Sequence, residues 1–223
     1  MKFLFVSGAA LAFLSVTPFL CAQQASRPAN YPADISADSG FRLPLLKRDQ
    51  LDDLGKKAYD DAAPGERSIA GLRGPLGIRL YSPHVADLTN ALSRYLRYDA
   101  GLDPALRELI ILATGRELGN QFEWAAHEPV ARKEGLSQAA IDVVKFQKST
   151  SDLPEKQALV IEWARQIFRQ HKLSSDTFAA ARKAFGERDL VNIAALMGAY
   201  ASTAILLETF DMQLEPGQAP PLP

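Results

Sequence analysis

The sequence predicts an all-α fold, a single-domain helical bundle of about seven helices. Apolar residues recur at helical spacing through most of the chain beyond Leu45. Start and stop signals such as Ser82-Pro83, Asp103-Pro104, Gly119, Gly135 and Gly186 punctuate that pattern, and no stretch sustains the alternation of a strand. Charge is nearly balanced, with 25 basic against 26 acidic residues and no basic stripe, which excludes nucleic acid as a partner.

In chain order, residues 1–22 carry Lys2, an apolar run over 3–14 and a segment ending Leu20-Cys21-Ala22, the pattern of a secretory signal peptide cleaved after Ala22. Lipid attachment at Cys21 is the alternative, set back by the bulky Leu20 before it. Either reading sends the chain out of the cytoplasm, to a periplasmic or secreted location. Cys21 is the single cysteine and lies in or beside the removed segment, so thiol chemistry and disulfides are excluded from the mature chain.

Residues 23–44 are rich in Ser, Ala, Pro and Asp without apolar periodicity, and are expected to form a flexible N-terminal arm. The helical domain is expected over 45–215, with a disordered tail at 216–223. Asp49 is placed to cap a first helix reaching about Ala62, with Leu51, Leu54 and Ala58 on one face and Pro64-Gly65 as its stop. The glycine-rich segment 65–82 is expected to be a loop; it lacks the Gly-Lys-Ser/Thr sequence and the preceding strand of a phosphate cradle.

Ser82-Pro83 opens the next helix, whose Val85, Leu88, Leu92 and Leu96 are expected to form a buried stripe. Asp103-Pro104 opens a helix carrying Leu106, Leu109, Ile110 and Ala113 that ends near Gly119. The one after it holds Glu123 and His127, is perturbed at Pro129 and ends at Gly135. Ser137 caps a helix to about Gln147, and further helices are expected over 154–171, 176–185 and 188–211. Residues 190–207 carry no charge, which reaches the lower limit for a membrane span. Asn192, Gly198, Ser202, Thr203 and the alanine content suit a core or subunit-contact helix better, so no stable span is expected after signal removal.

The candidate chemistry lies between Glu108 and His127. Four residues separate Glu123 from His127, stacking a carboxylate and an imidazole on one helix face. Such a pair can hold one ring tautomer and leave the other nitrogen free for proton transfer near neutral pH. It can equally be a partly buried pair that only satisfies itself. A third reading takes His127, Glu123 and Glu108 as metal ligands, although the other two histidines, His84 and His171, sit in ordinary helical surroundings.

Residues 106–136 resemble the carboxymuconolactone decarboxylase family, which also includes the alkylhydroperoxidase D-like proteins. The likeness is strongest in Arg107-Glu108-Leu109, in Asn120-Gln121-Phe122-Glu123-Trp124-Ala125-Ala126-His127-Glu128-Pro129, and in Glu134-Gly135-Leu136-Ser137. Weaker similarity runs from Gly74-Pro75 and Ser82-Pro83 to Asp211. The resemblance implies an all-α fold and a homo-oligomer, a trimer or hexamer. In the peroxidase branch a Cys-x-x-Cys-x-x-x-His motif follows an upstream glutamate; Glu108, Asn120, Glu123 and His127 hold those positions here. Both cysteines are thus replaced, and a dithiol cannot cycle without sulfur. The decarboxylase branch, with its Glu-x-x-x-His element, is nearer.

What the resemblance implies is a cofactor-independent enzyme, with no metal, acting by proton transfer on a small carboxylated or lactone-type molecule. On that reading His127 delivers or relays the proton, Glu123 orients it, and Glu108 shares the proton or tunes the imidazole. Asn120 donates to a substrate oxygen, Phe122, Trp124 and Leu118 supply apolar walls, and Arg116 is the first choice for a substrate carboxylate, with Arg94, Arg97 and Arg107 open. A non-catalytic small-molecule-binding protein and a structural oligomer are the alternatives. The pathway in which carboxymuconolactone arises is cytoplasmic, so an exported relative is expected to meet a different substrate.

Overall fold

A computed structural model describes residues 31–61 and 70–223. The expected signal peptide, Cys21 and the Pro64-Gly65 stop lie outside the described residues. The fold is all-α, with eight helices and no strand among the described residues: α1 (Asp53–Asp61), α2 (Pro75–Arg79), α3 (Pro83–Arg94), α4 (Pro104–Glu117), α5 (Gln121–Lys133), α6 (Gln138–Lys145), α7 (Glu155–Gln170) and α8 (Ser175–Thr209). A short 3-10 turn, Arg48–Gln50, precedes α1, and a π-helical turn, Tyr95–Asp99, extends α3.

Helix α4 is the axis of the bundle. Each residue from Leu106 to Gly115 is buried, because α5, α6, α7 and α8 all pack around it. Asp103 starts it by accepting the Leu106 amide at 2.9 Å, with Pro104 in the first turn, where a missing N–H loses nothing. Gly119, at φ +69°, ends the passage out of α4, a backbone state that a Cβ disfavours. Ser137 caps α6 through the Ala140 amide, and Gly186, at φ 78° and ψ 167°, divides α8 into halves 175–185 and 187–209. The expected pair of final helices is therefore two halves joined at a glycine. Helix α8 is long and apolar enough to cross a membrane, and 44% of its most apolar window is buried in the bundle.

Four stretches depart from the sequence expectations. Asp49 lies in the 3-10 turn and does not cap α1; Asp52 does, accepting the Gly55 amide at 2.7 Å. The expected loop over 65–82 contains α2, too short to show a period, in which a Cβ on Gly77 would come within 1.9 Å of the Leu72 carbonyl oxygen. The described part of the expected arm, residues 31–44, is docked on the bundle, with Ile35 and Phe41 buried and the Arg42 amide donating to the Phe210 carbonyl at 2.9 Å. The expected tail is likewise docked: Leu222 is buried, and its amide donates to Gln121 Oε1 at 2.8 Å. Isolated apolar residues in a Pro- and Ser-rich stretch show no periodicity, so only the socket that receives them reveals their burial.

The stripe assigned to α3 is also inverted. Val85, Leu88 and Leu92 are 45%, 70% and 45% exposed, while Ala86 is the buried residue of the helix. Only Leu96, beyond the end of α3, reaches the core as expected. The π turn that carries it closes with the Ala100 amide donating to the Tyr95 carbonyl at 2.8 Å. Its wider winding turns Leu96 inward and leaves Arg97 lining a cavity.

Candidate active site

Asn120 sets the site by ending one helix connection and starting the next helix. Its side-chain oxygen accepts the Glu123 amide at 2.9 Å, which fixes the first turn of α5 and the direction in which Glu123 and His127 leave it. Gly115 of α4 lies against the Glu123 Cβ, and this small residue lets the two helices close together.

His127 is held from several sides. Its Nδ1 lies 2.8 Å from Glu108 Oε2, with both side chains buried. The second oxygen of Glu108 accepts Arg107 Nε at 3.2 Å, and Arg107 Nη1 donates to the Arg97 carbonyl at 2.7 Å. The Tyr200 ring from α8 meets the imidazole edge to face, centroids 5.1 Å apart. What remains of the imidazole, Nε2, points toward Glu123 Oε2 at 4.0 Å, too far for a hydrogen bond. Glu123 Oε2 is buried without a hydrogen-bond partner.

Charge follows from this geometry. Burial pushes Glu108 upward, but the hydrogen bond from His127 and the charges of Arg97 and Arg107 outweigh it and hold the carboxyl below the usual range. Burial pulls His127 down even with Glu108 alongside, so the ring is neutral and donates its Nδ1–H to the Glu108 anion. Burial pushes Glu123 up to about 8, against the pull of Arg79 and Arg97 and with the help of Glu108. Near neutral pH the site therefore holds an anion, a neutral imidazole with a free Nε2, and a carboxylic acid. Tyr200 is pushed upward by burial and stays a phenol.

The acid and the imidazole open on a cavity of about 670 Å³, the size of a small-ligand site. Phe122, Leu96 and Ala126 give it apolar walls, and Arg79 and Arg97 line it from α2 and the π turn. The expected wall residue Phe122 is thus in place. Trp124 is not: it is fully buried in the main core and donates to Glu128 Oε2 at 2.5 Å. One residue advances a helix by about 100°, so Phe122, Glu123, Ala126 and His127 share the cavity side while Trp124 and Glu128 share the next.

Two other expectations are corrected. Asn120 is occupied as the α5 cap, with its amide 3.5 Å from Glu208 Oε1, and does not line the cavity. Arg116 donates to the Lys145 carbonyl at 2.8 Å, closing the end of α6 away from the cavity. The two glutamates also exchange places, since Glu108 is the partner that orients His127 and Glu123 faces its free nitrogen. Sequence reasoning missed Arg79, because α2 gave no signal, and Tyr200, hidden in the uncharged run of α8. Arg97 was one of several open arginines, and the π turn singles it out. Among the described residues no three His, Cys, Asp or Glu side chains converge as a metal site.

Neither the curated proteins nor the solved structures contain a match to this chain. Residues 83–166 match the carboxymuconolactone decarboxylase family, a range that takes in Arg97, Glu108, Glu123 and His127 and leaves Arg79 and Tyr200 outside. An all-α bundle is built around that segment, and over residues 83–166 the chain is similar to the carboxymuconolactone decarboxylase family.

Proposed function

We propose that this chain is an exported, cofactor-independent proton-transfer enzyme of the decarboxylase type, acting on a small carboxylated or lactone-type molecule and without thiol peroxidase activity. The observation that carries the reading is the opposition of a free His127 Nε2 and a partnerless Glu123 carboxyl across a 4.0 Å gap that opens on the cavity. Where the substrate carries an acidic C–H beside a carbonyl, His127 accepts that proton at Nε2 and the electron pair of the broken C–H bond passes into the carbonyl, with Glu108 holding the other nitrogen protonated and steadying the imidazolium that forms. Glu123, kept as an acid by burial, delivers a proton to a carbanionic carbon beside it. When carbon dioxide leaves a substrate, the electron pair of the broken bond spreads into a neighbouring carbonyl of the same molecule, and the Glu123 proton then completes the new C–H bond. Export rests on the composition of residues 1–22.

The same reading has the chain working as a homo-oligomer. Support comes from the uncovered apolar face of α3, where Val85, Leu88 and Leu92 stand in solvent. Deuterium incorporation from heavy water into lactone carboxylates and keto acids tests the proton transfer. Wild-type protein is expected to exchange substrate hydrogen for deuterium. His127→Asn is expected to lose that exchange by about a hundredfold or more while its helical circular dichroism is unchanged. Exchange that survives His127→Asn removes the imidazole from the reaction, and binding without exchange in the wild type turns the reading to a binding protein.

A further inference from the structure

The cavity holds more positive charge than its own anions balance. Arg79 reaches it from α2 and Arg97 from the π turn, two elements of different parts of the chain that meet only here. Arg79 Nη2 donates to the hydroxyl of Thr203 at 2.6 Å, a neutral acceptor. Arg97 Nε is buried with no hydrogen-bond partner at all. Among the described residues neither guanidinium forms an ion pair. Arginine cannot lose its proton, and with Arg79 and Arg97 half-buried and the Arg97 guanidinium set over the Tyr98 ring at 5.2 Å, two guanidiniums without an ion pair favour an anion between them.

The candidates inside the protein fall short of that need. Glu108 lies behind His127, bonded to the imidazole and to Arg107. Asp60 lines the cavity mouth but is taken up by Arg48, at 2.7 and 2.8 Å, and Asp61 beside it is exposed. The remaining carboxyl is Glu123 itself, which feels both Arg79 and Arg97 and is nonetheless kept neutral by burial.

We infer that Arg79 and Arg97 together bind the carboxylate of a small organic anion beside Glu123, and that Glu123, whenever it ionises, competes with that carboxylate for the two guanidiniums. This deepens the proton-transfer reading and rests on it only for the statement that the bound anion is the substrate. Planar guanidiniums match a carboxylate in fork geometry, and two of them give charge-assisted bonds that a neutral ester cannot make. A carboxylate held this way is stabilised as an anion, so it is the one the reaction keeps. Loss of carbon dioxide, where it occurs, takes a second carboxyl positioned toward His127 and Glu123. The class of ligand is thus an organic acid that keeps one carboxylate throughout the reaction.

The groups facing Glu123 define its behaviour as competitor. They are Arg79 of α2 and Arg97 of the π turn, which favour its anion, Glu108 of α4, which opposes it, and His127 of α5 and Tyr200 of α8, which are neutral near pH 7. Above about pH 8 the anion forms, occupies the cationic pair and opposes a second negative charge.

Calorimetric titration of the full chain with levulinate, glutarate and benzoate, each against its methyl ester, tests the inference. At pH 7 at least one acid is expected to bind about tenfold or more tightly than its ester, and Arg79→Gln/Arg97→Gln is expected to erase that preference. Arg97→Lys keeps a charge at this position and is expected to retain part of it. From about pH 8 upward the wild-type affinity for the acid is expected to fall toward tenfold per pH unit, and in Glu123→Gln to stay level. Equal binding of acid and ester, a preference that survives the double substitution, or no binding of any acid up to about 10 mM overturns the carboxylate site. A pH profile unchanged by Glu123→Gln overturns the competition. Circular dichroism of each variant verifies its fold. A carboxylate that binds with this preference but exchanges no deuterium defeats the enzymatic reading alone, and the reverse result defeats the clamp alone.

Discussion

Helices α3 and α4 invert the usual distribution of polarity in opposite ways. Along α4, Arg107 and Glu108 are buried in the middle of the bundle among Leu109, Ile110, Ile111 and Leu112. Along α3, Val85, Leu88 and Leu92 are turned to solvent and an alanine is turned in. Charges are tolerated inside α4 because each is joined to a partner, Arg107 to Glu108 and the Arg97 carbonyl, and Glu108 to His127. The apolar face of α3 has no such partner among the described residues. An inside-out charge thus marks a network, whereas the inside-out leucines of α3 are an exposed apolar face among the described residues.

The contrast is broken most strongly at Glu108. Glu108→Ala strips His127 Nδ1 and Arg107 Nε of their buried acceptor, and is expected to cost about 3–5 kcal/mol in urea unfolding. A loss below about 1 kcal/mol would show that the network is not buried as described.

Glu123→Gln sharpens the comparison within the site. Its folded pKa of about 8 stands above the usual 4.5, so between those values the folded chain holds a proton that the unfolded chain has released. Wild-type stability therefore falls as pH rises through that window, at up to about 1.4 kcal/mol per unit, and levels off above it. The glutamine variant is expected to lack this fall and to be the more stable protein at pH 8, while losing proton transfer. Thermal unfolding at a series of pH values measures it, and parallel profiles would place Glu123 in contact with water.

The smallest effect is expected on α3. Leu88→Asp should change the unfolding free energy of the single chain by no more than about 0.5 kcal/mol, since the side chain is 70% exposed. Sedimentation velocity is the more telling measurement, with a lower coefficient expected for the variant if the face joins subunits and an unchanged one if it does not.

Much of the fold was legible because its signals are local. Asp103 and Ser137 cap as expected, Gly119 and Gly135 take φ of +69° and +88° where the helices stop, and Gly186 breaks α8. The site was legible in part. Glu108, Glu123 and His127 do meet, but their roles were assigned by spacing, and spacing placed Glu123 against the ring while Glu108 from another helix holds it. Trp124, Asn120 and Arg116 were chosen as sequence neighbours of the site; each is turned to a structural partner instead.

The sequence by itself determined where helices begin and end, that they pack on one another, and which acids and histidine are available for proton transfer. These depend on caps, glycine conformation and apolar period, all of which act within a turn or two of chain. Only the tertiary structure decided which nitrogen of His127 is free, that Arg79 and Arg97 share its cavity, and that Phe41 and Leu222 are buried. Those outcomes depend on helices far apart in sequence approaching within a few ångströms, where burial sets protonation and contact sets orientation.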